Sequence, residues 1–135
     1  MLFNRSAPPC PVSPVLTYPN PAAAAEWLGK AFGFTVRLIV ANHRIQMRAG
    51  EGCFTIAEGE AIPNTAFRVQ VRIVDAYGHC KRARAEGATI VSEPKDHIYG
   101  ERQYSAEDFY GHRWDFTESL RNVDPGLWGG IAVKL

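Results

Sequence analysis

The sequence predicts an α+β fold built from two tandem βαβββ modules. Three observations carry this. One alternating segment, one amphipathic helix and three further alternating segments occur in that order before residue 60, and the order repeats after residue 66. Each helix starts at a residue able to cap it, Asn20 or Asp75, and stops at a glycine, Gly33 or Gly87. The strings "KAFGFTV" and "RAEGATIV" occupy equivalent places in the two halves. A repeat of this kind is read before any motif, because it gives most residues a counterpart.

The elements follow in chain order. Residues 1–11 carry three prolines and no period, and read as an irregular lead-in. "VSPVLTYPN" (12–20) alternates, with Ser13, Val15 and Thr17 against Pro14, Leu16 and Tyr18, the mark of a half-buried strand. Asn20 then Pro21 signals a helix start, and "PAAAAEWLGKAF" places Ala24, Trp27, Leu28 and Ala31 on one stripe. "TVRLIVA" (35–41), "HRIQMRA" (43–49) and "CFTIAEG" (53–59) are strands, with Gly50 and Gly52 in the turn before the last. In the second half, "AFRVQVRIV" (66–74) alternates, and "AYGHCKRARAEG" (76–87) is a helix capped by Asp75. "ATIVSEP" (88–94), "RQYSAE" (102–107) and "HRWDFTES" (112–119) complete the strands.

Size and composition limit the function classes. The chain has 135 residues, enough for one domain, 1–135, with module 1 at about 12–60, module 2 at about 66–119 and a tail at 120–135. Hydrophobic residues make up 46% and charged residues 21%, with a formal net charge of +1, so nucleic acid and anionic membrane are not expected partners. No apolar run nears the ~20 residues of a membrane span. The N-terminus lacks the apolar core of a signal peptide, so the expected setting is the cytoplasm. Cys10, Cys53 and Cys80 are odd in number and show no CxxC spacing, which predicts reduced thiols and no zinc knuckle.

Alternation assigns the faces. Val69, Val71, Ile73, Phe54, Ile56, Trp114 and Phe116 belong beneath the helices. Arg68, Gln70, Arg72, Arg113, Asp115 and Thr117 then share the opposite face with Cys53 and Thr55. Two such sheets side by side could enclose a polar cleft. The stretch "AEDFYGHRWDFTE" (106–118) is crowded with ligand-type side chains, yet most of it reads as a turn shaped by Asp108 and Gly111, with His112 pointing alongside Trp114. Arg44 could join the cleft, and Tyr99 and Tyr104 could stack on a flat ligand at its mouth. The apolar tail "LWGGIAVKL" (127–135) could dock on its own chain or on a second subunit.

"VLTYPNPAAAAEWLGKAFGF", "VDAYGHCKRARAEGATIVSEP" and "YGERQYSAEDFYGHRWDF" together resemble the vicinal oxygen chelate superfamily, which includes glyoxalase I, bleomycin-resistance proteins, fosfomycin-resistance enzymes and extradiol dioxygenases. The likeness spans roughly residues 12–119. It implies that the modules form an open, curved eight-stranded sheet around a cleft, and that the protein is a homodimer. Metal-using members place His, Glu or Gln at four positions, which fall here at Ser13, Thr55, Arg68 and Asp115. Only Asp115 could ligate well, and Arg68 would set a fixed positive charge beside an ion. The expectation is therefore no metal and no cofactor. The resemblance that remains is to the bleomycin-resistance binders, antibiotic-resistance proteins that sequester a small molecule. On that reading an anionic or planar aromatic ligand is bound by Thr55, Arg68, Gln70, Arg72, Arg113, Asp115 and Tyr104. The alternative is a lyase, isomerase or dioxygenase-type enzyme, either metal-dependent or using Asp115 as general base.

Overall fold

The computed structural model describes residues 2–134, the side chains of residues 64 and 65 excepted. The first module consists of β1 (Val15–Tyr18), α1 (Pro21–Phe32), β2 (Thr35–Val40), β3 (Arg44–Ala49) and β4 (Gly52–Glu58). The second repeats it with β5 (Asn64–Arg72), α2 (Ala76–Ala85), β6 (Thr89–Asp96), β7 (Glu101–Glu107) and β8 (His112–Ser119). The eight strands lie in two four-stranded sheets, ordered β1-β4-β3-β2 and β5-β8-β7-β6. In each, the first and last strands of the module pair in parallel, and the remaining pairs are antiparallel. A single 3-10 turn, Pro125–Trp128, follows in the tail, where the sequence reading has no element.

The caps act as the sequence predicts. Asn20 accepts from the Ala23 amide at 3.2 Å and Asp75 from the Gly78 amide at 3.1 Å. Gly33 closes α1 at φ 79°, a left-handed conformation that favours glycine. The end of α2 comes slightly earlier than expected. Its cap is Glu86, and Gly87 takes the positive φ of 95° just beyond.

Both helices lie on the inner faces of the sheets, over one shared core. Phe32 and Phe34 at the end of α1 meet Trp114 and Phe116 of β8, with ring centroids 4.8–5.9 Å apart for the Phe32 pairs and 5.2 Å for Phe34–Trp114. Leu16, Ile45, Met47, Phe54 and Ile56 fill the first half, and Val71, Cys80, Ala83 and Ala106 the second. Burying each large apolar side chain contributes ~1.5–3 kcal/mol. Polar contacts tie the helices together. Trp27 Nε1 donates to Glu86 O at 2.8 Å, and Arg82 donates to the carbonyls of Lys30 and Gly29 in the last turn of α1, the latter also accepting from the Gly33 amide.

Candidate functional site

The second sheet presents its outer face as a polar surface. Register sets Arg68 beside Arg113 and Glu107, Gln70 beside Asp115 and Ser105, and Arg72 beside Thr117 and Gln103. The two-residue period keeps these side chains off the helix side. Asp115 is the hub. Its Oδ2 pairs with Arg68 Nε at 3.1 Å, and its Oδ1 accepts from Ser105 Oγ at 2.7 Å. A second string runs from Tyr99 Oη to Gln103 Oε1 at 2.7 Å, from Gln103 Nε2 to Thr117 Oγ1 at 3.2 Å, and from Thr117 to Glu101 at 2.8 Å. A cavity of about 340 Å³ opens here, lined by Arg68, Ser92, Lys95, His97, Ser105 and Asp115 among others. At its margin the His97 ring stacks on Tyr99, centroids 5.0 Å apart and planes within 7°. Trp128 of the tail lies 5.1 Å beyond, so the tail docks on its own chain as far as this ring. Ile131 and Val133 past it are exposed.

The expected ligand set does not converge on this cavity. Arg68 and Asp115 line it with their side chains. Gln70 and Arg72 line a different one, a groove of about 520 Å³ between the modules that is walled by Cys53, Phe54 and Val69. Arg113 pairs with Glu107 at 3.6 Å, and lines a cavity of about 210 Å³ with Leu16, Ile62, Phe67 and His112. Thr55 and Arg44 sit on the first sheet, in a cavity of about 230 Å³.

Tyr104 borders the cavity of Arg68 and Asp115 as well, but not as an open stacking surface. Its side chain is on the core face of β7, 1% exposed, stacked on Phe116 at 5.1 Å. The Tyr104 hydroxyl reaches His79 Nδ1, while His79 Nε2 meets Phe32 O at 2.8 Å. A carbonyl only accepts, so Nε2 carries the proton and the neutral ring accepts from Tyr104 at Nδ1. Burial pushes the Tyr104 hydroxyl pKa upward, which keeps it a donor. Alternation along "RQYSAE" separates Gln103 and Ser105 from Tyr104, and that signal marks the two cavity residues that the site reading lacks. Ser92, Lys95 and His97 carry no such mark, because register shifts interrupt β6 at Ser92 and Lys95.

The polar stretch before β8 is structural. Asp108 is buried and accepts four hydrogen bonds: from the Tyr110 and His112 amides at 2.9 and 3.0 Å, Tyr18 Oη at 2.6 Å and Trp114 Nε1 at 3.1 Å. His112 Nε2 meets Thr17 O at 2.8 Å. Tyr18 and Thr17 belong to β1, so this turn fastens the second module to the first. Gly111 lies beneath it at φ 93°, where a Cβ would come within 2.8 Å of Pro63 Cγ.

The lead-in is also not idle. Residues 5–10 cross the outer face of the first sheet, and Cys10 is disulfide-bonded to Cys53 of β4. The expectation of three reduced thiols is therefore wrong for this pair. Alternation had placed Cys53 on the outer face, and a proline-rich segment with no period hid its partner. Cys80 is free and buried.

The four positions that correspond to the metal ligands of similar proteins do not meet. Ser13 and Thr55 share one cavity, Arg68 and Asp115 another. Among the described residues no three His, Cys, Asp or Glu side chains group as a metal site. With two hydroxyls, one guanidinium and one carboxylate already paired to it, this donor set does not suit a divalent ion.

Known proteins share this architecture. TioX from Micromonospora sp. ML1 superposes with a TM-score of 0.68 at 29% identity, covering 84% of this chain and 98% of that one. A glyoxalase/bleomycin resistance protein/dioxygenase family enzyme from Burkholderia phytofirmans PsJN gives 0.66 at 15% identity, over 78% of this chain and 95% of the other, a likeness of fold. An uncharacterized protein of Mycobacterium tuberculosis (strain ATCC 25618 / H37Rv) is 27% identical over 92 residues, 68% of this chain and 51% of its own length. The chain thus spans about half of that relative. No helix among the described residues is long and apolar enough to cross a membrane. The model of the Glyoxalase/Bleomycin resistance protein/Dioxygenase superfamily matches residues 12–116, from before β1 into β8, and with a match that runs across both βαβββ modules the chain belongs to this superfamily.

Proposed function

We propose that the protein is a metal-independent small-molecule binding protein of the glyoxalase/bleomycin-resistance type, and that it holds its ligand against the outer face of the second sheet. One observation carries the reading: the Arg68–Asp115–Ser105 cluster opens into a cavity of about 340 Å³ whose edge is the stacked His97–Tyr99 pair, with the tilted Trp128 ring beyond it. A guanidinium held at one end suits a carboxylate or similar anion, and stacked rings suit a flat apolar body. The ligand class is thus a planar aromatic anion. Sequestering such a compound would make the protein a resistance factor if the compound is toxic. A homodimer and a cytoplasmic setting are part of the same proposal.

The second reading is an enzyme of the superfamily, a lyase, isomerase or dioxygenase. Asp115 favours a metal-free form of it, since a carboxylate held between Arg68 and Ser105 could take a proton from a bound carbon acid.

The test is titration of naphthalene-2-carboxylate, with its uncharged methyl ester as control, followed by tryptophan fluorescence. The carboxylate is expected to bind and to quench Trp128, the ester to bind at least tenfold more weakly, and Arg68→Ala to lose that preference. Equal affinity for acid and ester, or a preference that survives Arg68→Ala, would sink the proposal. Turnover of a bound carbon acid that Asp115→Asn abolishes would establish the enzyme instead.

A further inference from the structure

The outer face of the first sheet is covered by the chain's own N-terminal segment. The contact is thin. Arg37 Nη2 donates to Arg5 O at 2.9 Å and Gln46 Nε2 donates to Ser6 O at 2.9 Å. Arg37 Nη1 also donates to Gln46 Oε1, so the two side chains hold each other in position to receive backbone carbonyls. Little apolar surface is buried, since Leu2, Phe3 and Val12 remain 95%, 89% and 81% exposed. Beneath Pro8 a cavity of about 230 Å³ persists, lined by Ser13, Val15, Arg44, Gln46 and Thr55, and the buried Ser13 Oγ has no hydrogen-bond partner there. Two hydrogen bonds are a weak return for ordering a segment of this length. The covalent Cys10–Cys53 link is the firm attachment.

We propose that this face is a second binding face, for an extended carbonyl-bearing chain such as a peptide, which residues 5–8 occupy in cis, and that the Cys10–Cys53 disulfide determines whether it stays occupied. The strap's carbonyls stand where a ligand's carbonyls would be. Release needs a dithiol reductant. Its thiolate attacks Cys10 Sγ, the less buried sulfur, and Cys53 leaves as thiolate and takes up a proton. The second thiolate of the reductant then displaces Cys10 and closes its own disulfide, so two electrons and two protons pass to the protein. The freed strap keeps its two carbonyl hydrogen bonds and a Cys10 Sγ contact to Glu51 O at 3.5 Å, too little to hold it, and Arg37 and Gln46 become available.

The Arg5–Ser6 bond reports on the strap directly, because its carbonyl is the one Arg37 binds. The full chain, oxidised or treated with dithiothreitol, is digested with limiting trypsin and followed by intact mass, with thiols counted under denaturing conditions. The oxidised chain is expected to show one thiol and slow cleavage after Arg5, the reduced chain three thiols and cleavage at least tenfold faster. Cys10→Ser, a change in the exposed strap that spares the core, is expected to cleave like the reduced chain. A fluorescein-labelled peptide LFNRSAPP is expected to bind Cys10→Ser saturably and to lose binding when Arg37→Ala is added. Three thiols in the oxidised chain, or equal cleavage rates in the two redox states, would overturn the strap. Absence of saturable peptide binding to Cys10→Ser would overturn the binding face.

Discussion

The two modules repeat one strand order, yet their outer faces differ. On the first sheet, Arg37 and Gln46 spend their hydrogen bonds on backbone carbonyls of the lead-in, and Thr55 is buried. On the second, Arg68, Asp115 and Ser105 bond one another, and Gln103 bonds Tyr99 and Thr117, around an open cavity. Duplication supplies two equivalent surfaces, and what each does depends on the segments outside the repeat. The lead-in closes one, while the tail brings Trp128 to the edge of the other and leaves it open. A repeated fold can therefore separate a covered face from an open one without changing a strand.

The largest expected effect bears on what holds the two sheets in fixed relation. Asp108→Ala would strand the buried Tyr18 hydroxyl and Trp114 indole and two half-buried backbone amides. A loss of at least ~3 kcal/mol is expected in urea unfolding, from several buried groups left unpaired. A loss below ~1 kcal/mol would mean that the other contacts between the modules, helix packing and the His112–Thr17 bond among them, suffice to join them.

His79 offers a smaller, pH-dependent test of the same junction. Burial lowers its pKa below the usual 6.5, with Arg82 adding to the shift, while the bond to Phe32 O and the charge of Asp75 oppose it. The unfolded chain therefore binds that proton more readily. The contribution is complete above pH 6.5 and is lost as pH falls through the depressed folded value. Urea midpoints at pH 5 should fall below those at pH 7.5, and His79→Gln should flatten the difference. Parallel profiles for the two proteins would assign acid sensitivity elsewhere.

The smallest effects compare the faces directly. Ser105→Ala removes a donor to Asp115 and should weaken naphthalene-2-carboxylate binding ~3–10-fold, the worth of ~0.5–1.5 kcal/mol for one hydrogen bond. Thr55→Val, on the covered face, should change it less than about twofold. Equal losses in the two variants would erase the distinction between the sheets.

The strands and helices were legible because each carries its own period and caps. Alternation in "AFRVQVRIV" and "HRWDFTES" placed Val71, Trp114 and Phe116 inside and Arg68 and Asp115 outside. The candidate site was legible only to that depth. Period fixes the face of a side chain, not which neighbouring hollow it reaches, so Arg68, Arg72 and Arg113 share a face and line three cavities. Tyr104 borders the cavity of Arg68 and Asp115, but the burial of its ring was not legible, because its hydroxyl's partner, His79, lies on α2, far off in sequence. The disulfide and the Asp108 junction were hidden for the same reason. Both join residues by contacts of long sequence separation, which leave no local pattern.

The parallel pairing of first with last strand has a consequence for synthesis. Val15 meets Thr55, and Gln70 meets Asp115, so each module's opening strand finds its ladder partner only when the closing one has been made. At ~5–20 residues per second, β1 waits a few seconds outside the ribosome with its edge unpaired. A premature stop within β8 would take the partner from β5 as well, so a lesion late in a module is felt at its beginning.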